Sequence, residues 1–245
     1  MSAKVNERVL SERAVQFLES MPAAYRNAFS DSDVEEHAQI AQQRGSDLAQ
    51  AVVWRTLPQG LAILCVVTED RPGLVALVSS AFLAHALDVR SAQIYCRTHP
   101  AGVDAVDFFW LRNVGGGAPE PSRLEACTRT IRELLESASA APELAEPSAS
   151  GDGTASVTYT PDPSGPDHWQ VSLEARDFPE LLHTVARLLH QHGLEVSRCE
   201  IRTEEGVARD RFFVASFTGA PAEPQLRAFQ GALLGVIAAV GRSAS

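Results

Sequence analysis

The chain has 245 residues, of which 45% are hydrophobic and 21% charged, and its formal net charge is −10. This composition is typical of a globular chain that can bury a core, as one large domain or two small ones. The acidic balance argues against nucleic acid or an anionic membrane as a partner. No apolar run reaches the roughly 18 residues of a membrane span, and the start of the chain lacks an apolar signal core, so we expect a cytoplasmic protein.

The segment 1–56 is predicted to form a helical arm. Apolar residues repeat at helical spacing as far as Leu18, and a capping box at 32–35 begins a second helix that Gly45 closes. A short strand around Trp54 leads out of the arm. Neither helix has an apolar stripe wide enough to form a domain alone, so we expect the arm to lie on the rest of the chain or on a partner.

A strand, a tight loop and a helix follow the arm. The run 61–68 is apolar and rich in β-branched residues, which suits a buried strand. Asp70 is predicted to cap the next helix and Pro72 to lie in its first turn. Because Gly73 has no Cβ, a ligand could approach the backbone there, and the free amides of the first turn would favour a carboxylate. Leu74 begins the apolar face of this helix.

Two strands and a second helix complete this first unit, which we predict at 57–137. The strands at 88–97 and 103–113 form a hairpin, and Ser122 caps the helix. Residues 138–153 contain almost no large apolar side chain and are predicted to be a linker. A strand at 155–160 follows.

The first unit is repeated at an offset of 107 residues. Asp70-Arg71-Pro72-Gly73-Leu74 aligns with Asp177-Phe178-Pro179-Glu180-Leu181, and Asp88-Val89 aligns with Glu195-Val196. After one gap, the third strands at 105–109 and 208–212 also agree. We therefore predict a second unit at 154–245, with the strand at 155–160 as an alternative completion of the first unit.

The Asp-x-Pro-Gly-Leu loop between a strand and a helix resembles the ACT domain, a small regulatory module that binds amino acids. The resemblance implies an α+β protein with two tandem ferredoxin-like βαββαβ units and an N-terminal helical arm. It also implies an effector pocket where two units meet, bordered by the loop and the start of the second strand. The expected ligand-binding residues of the first site are Asp70, Arg71, Pro72, Gly73, Leu74, Asp88 and Val89. Those of a second, weaker site are Asp177, Phe178, Pro179, Glu180, Leu181, Glu195 and Val196.

Three acidic residues qualify this expectation. Asp88 and Glu195 stand where the family often has an amide, and an ionised carboxylate would hold an effector's ammonium but repel its carboxylate. Solvated carboxylates at two strand starts are the alternative interpretation. Glu180 replaces the loop glycine in the second unit, so the first site is expected to dominate. A glutamate in place of Gly73 is expected to block that site at little cost to the fold.

Catalytic and metal sites are not predicted. His183 and His190 share a helix face but lie roughly 10 Å apart, too far for one ion. No nucleophile elbow, P-loop or dinucleotide fingerprint occurs. The four cysteines have no Cys-x-x-Cys spacing and are expected to be reduced, structural thiols. We therefore expect a protein that is not an enzyme and has no cofactor.

The order of parts also resembles the C-terminal regulatory region of the uridylyltransferase and uridylyl-removing enzymes that act on nitrogen regulatory protein P-II. Met21-Pro22-Ala23-Ala24-Tyr25 and the strand at 155–160 carry this resemblance. It implies a non-catalytic amino-acid sensor, with glutamine as the leading effector, a role in nitrogen regulation, an unknown protein partner and a homodimer. The alternative is an interaction or dimerisation module that no longer binds a ligand.

Overall fold

The computed structural model describes residues 10–44, 49–137, 155–163, 165, 167–219 and 222–242. The predicted linker at 138–153 and the helix end at Gly45 lie outside these residues. The helices are α1 (Glu12–Ser20), α2 (Ala23–Arg26), α3 (Asp31–Arg44), α4 (Leu74–Ala84), α5 (Pro121–Glu136), α6 (Leu181–Gln191) and α7 (Ala222–Arg242). The strands are β1 (Ala49–Leu57), β2 (Leu61–Glu69), β3 (Leu87–His99), β4 (Gly102–Asn113), β5 (Ala155–Pro161), β6 (His168–Arg176), β7 (Leu194–Glu204) and β8 (Val207–Ser216).

These eight strands form one sheet in the order β1-β2-β4-β3-β7-β8-β6-β5, and all neighbours are antiparallel. The predicted α+β fold with two ferredoxin-like units and a helical arm is confirmed. In each unit, however, the outer strand of the sheet comes before the other strands in the chain, and not after them as the βαββαβ order implies. β1 forms a hairpin with β2, and β5 forms a hairpin with β6. The alternative in which 155–160 completes the first unit is wrong, because β5 pairs with β6 over its whole length.

The two units join edge to edge through β3 and β7. Their register places Ser91, Ala92 and Gln93 opposite Arg202, Ile201 and Glu200. Helices α4 and α6 pack against each other over this seam, and α5 and α7 flank them on the same side of the sheet. A continuous apolar core between helices and sheet spans both units, with Phe109 and Phe212 among its fully buried side chains.

The arm covers the opposite side of the first unit only. Its helices α1, α2 and α3 enclose a second core with the side chains of β2, β3 and β4 that point away from α4. Tyr25 lies at its centre, fully buried, and packs edge-on against Phe17 and Tyr95. Its hydroxyl lies 2.7 Å from Nδ1 of buried His37, so this core contains one hydrogen-bonded polar pair, while Nε2 of His37 has no partner among the described residues.

The helix start at the first loop differs from the prediction. The N-cap of α4 is Gly73, not Asp70, and no side chain of the described residues caps the helix. Gly73 has φ +81°, a left-handed conformation that glycine adopts without the steric cost of a Cβ. Asp70 is therefore free to make other contacts.

The cysteines agree with the prediction, since all four are free thiols and Cys65, Cys127 and Cys199 are buried. Among the described helices, none combines the length and hydrophobicity that crossing a membrane would require.

Candidate functional site

Each strand-to-helix loop lies beside the strand that follows the corresponding helix in the other unit, which is β7 for the first loop and β3 for the second. In the first unit Asp104 pairs with Glu69 on one side and Arg97 on the other, so the loop after Glu69 is level with the end of β3. Asp88 lies at the beginning of β3, nine residues or roughly 30 Å away along the strand. The predicted grouping of Asp88 and Val89 with the first loop is therefore wrong. The crossover through α4 returns the chain to the opposite end of the sheet, so β7 supplies the strand start beside this loop.

The first junction consists of the Gly73 loop and Glu195. The Gly73 N–H donates to Oε2 of Glu195 across the two units, at 2.9 Å. The Cys96 thiol donates to Oδ2 of Asp70 at 3.2 Å and also lies 3.6 Å from the Ser197 carbonyl of β7. The amide that the sequence suggested for a ligand carboxylate is thus bound by a carboxylate of the protein itself.

A third carboxylate, Asp107 on β4, completes the first junction. Asp107 is fully buried, and among the described residues neither of its oxygens has a hydrogen-bond partner at ordinary distance and angle. Burial raises its pKa well above the usual range, and the nearby charges of Asp70 and Glu195 raise it further, whereas the backbone N–H of Tyr95 opposes the shift. Burial also raises the pKa of Glu195 to about 7, although its hydrogen bond from Gly73 opposes this shift. Within the described residues none of these three carboxylates forms a salt bridge, so the junction favours a positively charged group.

The second junction has the same plan but includes arginine. Arg90 on β3 forms a salt bridge with Asp177 of the second loop and donates to the Thr203 carbonyl at 3.3 Å. Arg112 Nε donates to Asp88 Oδ2 at 2.8 Å. Asp210 stands where Asp107 stands in the first unit. It accepts a hydrogen bond from the Arg202 amide at 3.2 Å, and burial raises its pKa to about 7.

The other predicted site residues lie in or beside the two loops. Arg71 donates to the Leu135 carbonyl at 3.3 Å, and Glu180 is the N-cap of α6. Pro72 and Pro179 occupy the corresponding loop positions before the helix starts. Val89, Leu74, Phe178, Leu181 and Val196 are buried apolar side chains of the core.

The sequence prediction missed further residues of the junctions, among them two aspartates, an arginine and a cysteine. Asp107 and Asp210 could have been found, because both stand in the repeated Ala-x-Asp-x-Phe pattern of the third strands. Arg90 and Cys96 could not, since their repeat counterparts are Ser197 and Thr203 and nothing local marks them.

The histidines of α6 serve packing. His183 is buried between α4 and α6, with Nδ1 2.9 Å from Ser79 Oγ and 3.1 Å from the Ala76 carbonyl. His190 stacks on Phe217 and lies where a Cβ at Gly73 would point, 3.0 Å from that position. No cluster of histidine, cysteine or acidic side chains suited to a metal ion occurs in the part of the chain that the structure describes.

The paired ferredoxin-like units, with both loops at their junction, agree with the resemblance to tandem ACT proteins. No family model matches the sequence. A bifunctional uridylyltransferase/uridylyl-removing enzyme of Phenylobacterium zucineum is 28% identical over 225 residues, which cover 89% of this chain and 24% of the enzyme. The corresponding enzyme of Ralstonia nicotianae is 30% identical over 59% of this chain and 17% of its own length. The ACT domain-containing protein ACR6 of Arabidopsis thaliana is 25% identical over 81% of this chain and 38% of its own length.

These relatives confirm the resemblance to both kinds of protein. The chain spans less than two fifths of the length of each of the three. Among solved structures, aspartate kinase from Synechocystis matches with a TM-score of 0.43 and 12% identity over 72% of this chain and 27% of its own.

Proposed function

We propose that the protein is a non-catalytic, amino-acid-responsive regulator that binds its effector at the junction of the two units. One observation carries this proposal: each loop is contacted across the junction by the other unit, through Gly73 with Glu195 and Asp177 with Arg90. A ligand bound there touches both units, so its binding energy changes how they are held together.

The chemistry of the first junction suits a zwitterion. Asp70 offers a carboxylate to an ammonium group, and an ammonium beside Asp107 would favour the ionised form of that buried side chain, which burial disfavours. The effector's own carboxylate would take the Gly73 amide in place of Glu195. Glutamine is our first candidate, and nitrogen regulation the first candidate process, on the resemblance to the uridylyl-transferring enzymes alone.

The runner-up is an interaction module without a ligand. It is favoured by the hydrogen bond from Gly73 to Glu195, because an internal carboxylate already satisfies the amide that an effector would use. Under either proposal we expect self-association, because β1 and β5 each pair on one side only among the described strands.

The test is a thermal-shift screen of the twenty amino acids, followed by calorimetry on the variants Glu195→Gln and Glu200→Gln. A ligand that binds only the folded state stabilises it by about 2.7 kcal/mol at a hundred times its Kd. We expect a selective shift, an altered affinity for Glu195→Gln and an unchanged one for Glu200→Gln, whose side chain forms salt bridges with Arg198 and Arg211 elsewhere on β7 and β8. No shift at about 10 mM, the weak end of useful binding, would leave the interaction module as the better proposal.

A further inference from the structure

An open groove of about 590 Å³ lies between the arm and the first unit, on the face of the sheet opposite to the first junction. Its walls are α1 and α3 on one side and the adjoining ends of β3 and β4 on the other. Glu12, Arg13 and Arg44 come from the arm, and Arg97, His99 and Asp104 come from the sheet. The groove is on the arm side of β3, whereas Cys96, the neighbour of Arg97, contacts the first junction on the helix side.

One buried carboxylate at the base of the groove, that of Asp104, lies close to three basic side chains. Asp104 is 4% exposed and lies 3.2 Å from Arg44, 3.7 Å from Arg97 and 3.1 Å from Nε2 of His99. Two guanidinium groups therefore share a single negative charge in a partly buried place. Burial lowers the pKa of Arg97; Asp104 opposes this shift, and the charge of Arg44 adds to it.

The arginines have fixed positions and unused donor capacity. Arg97 Nε donates to Ser20 Oγ at 2.8 Å, and its guanidinium lies over the Phe17 ring. Arg13 is held at the side of the groove by Gln42, whose Oε1 accepts at 3.0 Å. Among the described residues, the buried Nε of Arg44 has no hydrogen-bond partner. A buried guanidinium nitrogen without an acceptor costs free energy that an additional oxyanion would recover.

From this arrangement we propose that the groove is a binding site for a small oxyanion, a phosphate or a carboxylate group carried by a small molecule. Arg44 and Arg97 would bind it directly, because a guanidinium presents two parallel donors to such a group. Arg13 would close the outer side. An ion bound there bridges α3 and β3, so it holds the arm on the sheet. In the lining, three arginines outnumber the two carboxylates of Glu12 and Asp104, although the chain as a whole has a net charge of −10.

The full chain is titrated in two separate experiments, one with inorganic phosphate and one with malonate, at a constant ionic strength maintained with chloride. Calorimetry and thermal unfolding are measured for the wild type, for Arg44→Gln and for the control Arg211→Gln. Arg211 also pairs with a carboxylate, Glu200 at 3.5 Å, but lies on β8, far from the arm. We expect saturable binding with a rise in midpoint, at least a tenfold loss of affinity in Arg44→Gln and no change in Arg211→Gln.

A second variant separates a site from a structural ion cluster. Asp104→Asn removes the competing negative charge, so it should bind the anion several-fold more tightly even if the unliganded protein is less stable. Tighter binding of phosphate or of malonate identifies the head group, and either result supports the proposal. Absence of saturable binding, or equal loss in Arg44→Gln and Arg211→Gln, would overturn it.

Discussion

Gly73 shows how one residue can have both a conformational and a steric reason to be glycine. Its φ of +81° disfavours any side chain, and a Cβ would lie 3.0 Å from the His190 ring of the second unit. The expectation that a glutamate would be tolerated here is therefore wrong. That expectation assumed an ordinary first helical turn, whereas Gly73 is a left-handed N-cap enclosed by the neighbouring unit.

The two costs at Gly73 can be separated with a second glycine. Gly206 has φ +79°, but a Cβ there would meet nothing within 4 Å. We expect Gly206→Ala to lose about 1 kcal/mol of unfolding free energy from backbone strain alone. Gly73→Ala should lose roughly 1–2 kcal/mol more because of the His190 contact. Chemical denaturation measures both losses. Combining His190→Ala with Gly73→Ala should recover the additional loss of Gly73→Ala over Gly206→Ala. Equal losses in the two single variants would show that the contact between the new Cβ and the His190 ring relaxes freely.

Glu195 should make stability fall as pH rises through neutrality. Its pKa is raised to about 7 in the folded chain, above the ordinary glutamate value, because burial disfavours the charged form. Between about pH 4.5 and 7 the folded state binds more protons than the unfolded state, so the unfolding free energy decreases with pH. The full shift corresponds to roughly 3 kcal/mol.

Glu195→Gln tests this directly. Relative to the wild type, the variant should gain stability from pH 5 to pH 8. Denaturant titrations at four pH values suffice. A difference between Glu195→Gln and wild type that is flat over this range would mean that the carboxylate ionises without cost at the junction.

At the scale of the elements, the apolar pattern of the strands indicates which unit the helical arm covers. β2 is buried at every residue from Ala62 to Thr68, whereas β6 alternates between buried and more exposed positions. A continuous apolar strand has both sides covered, and an alternating strand has one side open. The sequence showed the run at 61–68 and the arm separately. That the arm covers the first unit and not the second follows from this contrast, which the sequence analysis did not draw.

The polar pair inside the arm core predicts an unequal response to loss of two tyrosine hydroxyls. Tyr25→Phe leaves Nδ1 of buried His37 without its partner at 2.7 Å, so we expect a loss of about 1–3 kcal/mol. Tyr95→Phe removes a hydroxyl that bonds partly buried Gln93, and should cost about 0.5 kcal/mol. Thermal unfolding of both variants measures the contrast; similar small losses would show that solvent reaches His37.

At the scale of the whole molecule, the repeat predicted the two units but not their partners across the junction. The offset of 107 residues identifies equivalent positions, and for this reason Asp88 and Glu195 were recognised as a pair. Which loop each faces depends on the pairing of β3 with β7, made by residues more than a hundred positions apart. Both strands would offer the same edge to another copy of the chain, so no local pattern distinguishes the internal junction from a dimer.

His183 gives the junction a pH dependence opposite to that of Glu195. Burial between α4 and α6 lowers its pKa to about 4, although the Ala76 carbonyl opposes the shift. In the unfolded chain a histidine titrates near pH 6.5, so between about pH 6.5 and 4 the unfolded state binds more protons. The unfolding free energy contributed by this residue therefore falls as the pH falls, by up to roughly 3 kcal/mol.

His183→Gln should accordingly be less stable than the wild type at pH 7.5 but approach it, or exceed it, at pH 4.5. Denaturation at the two pH values measures this contrast. If the difference in unfolding free energy between His183→Gln and the wild type does not narrow toward acid, the imidazole stays neutral without cost and the α4–α6 contact is insensitive to pH.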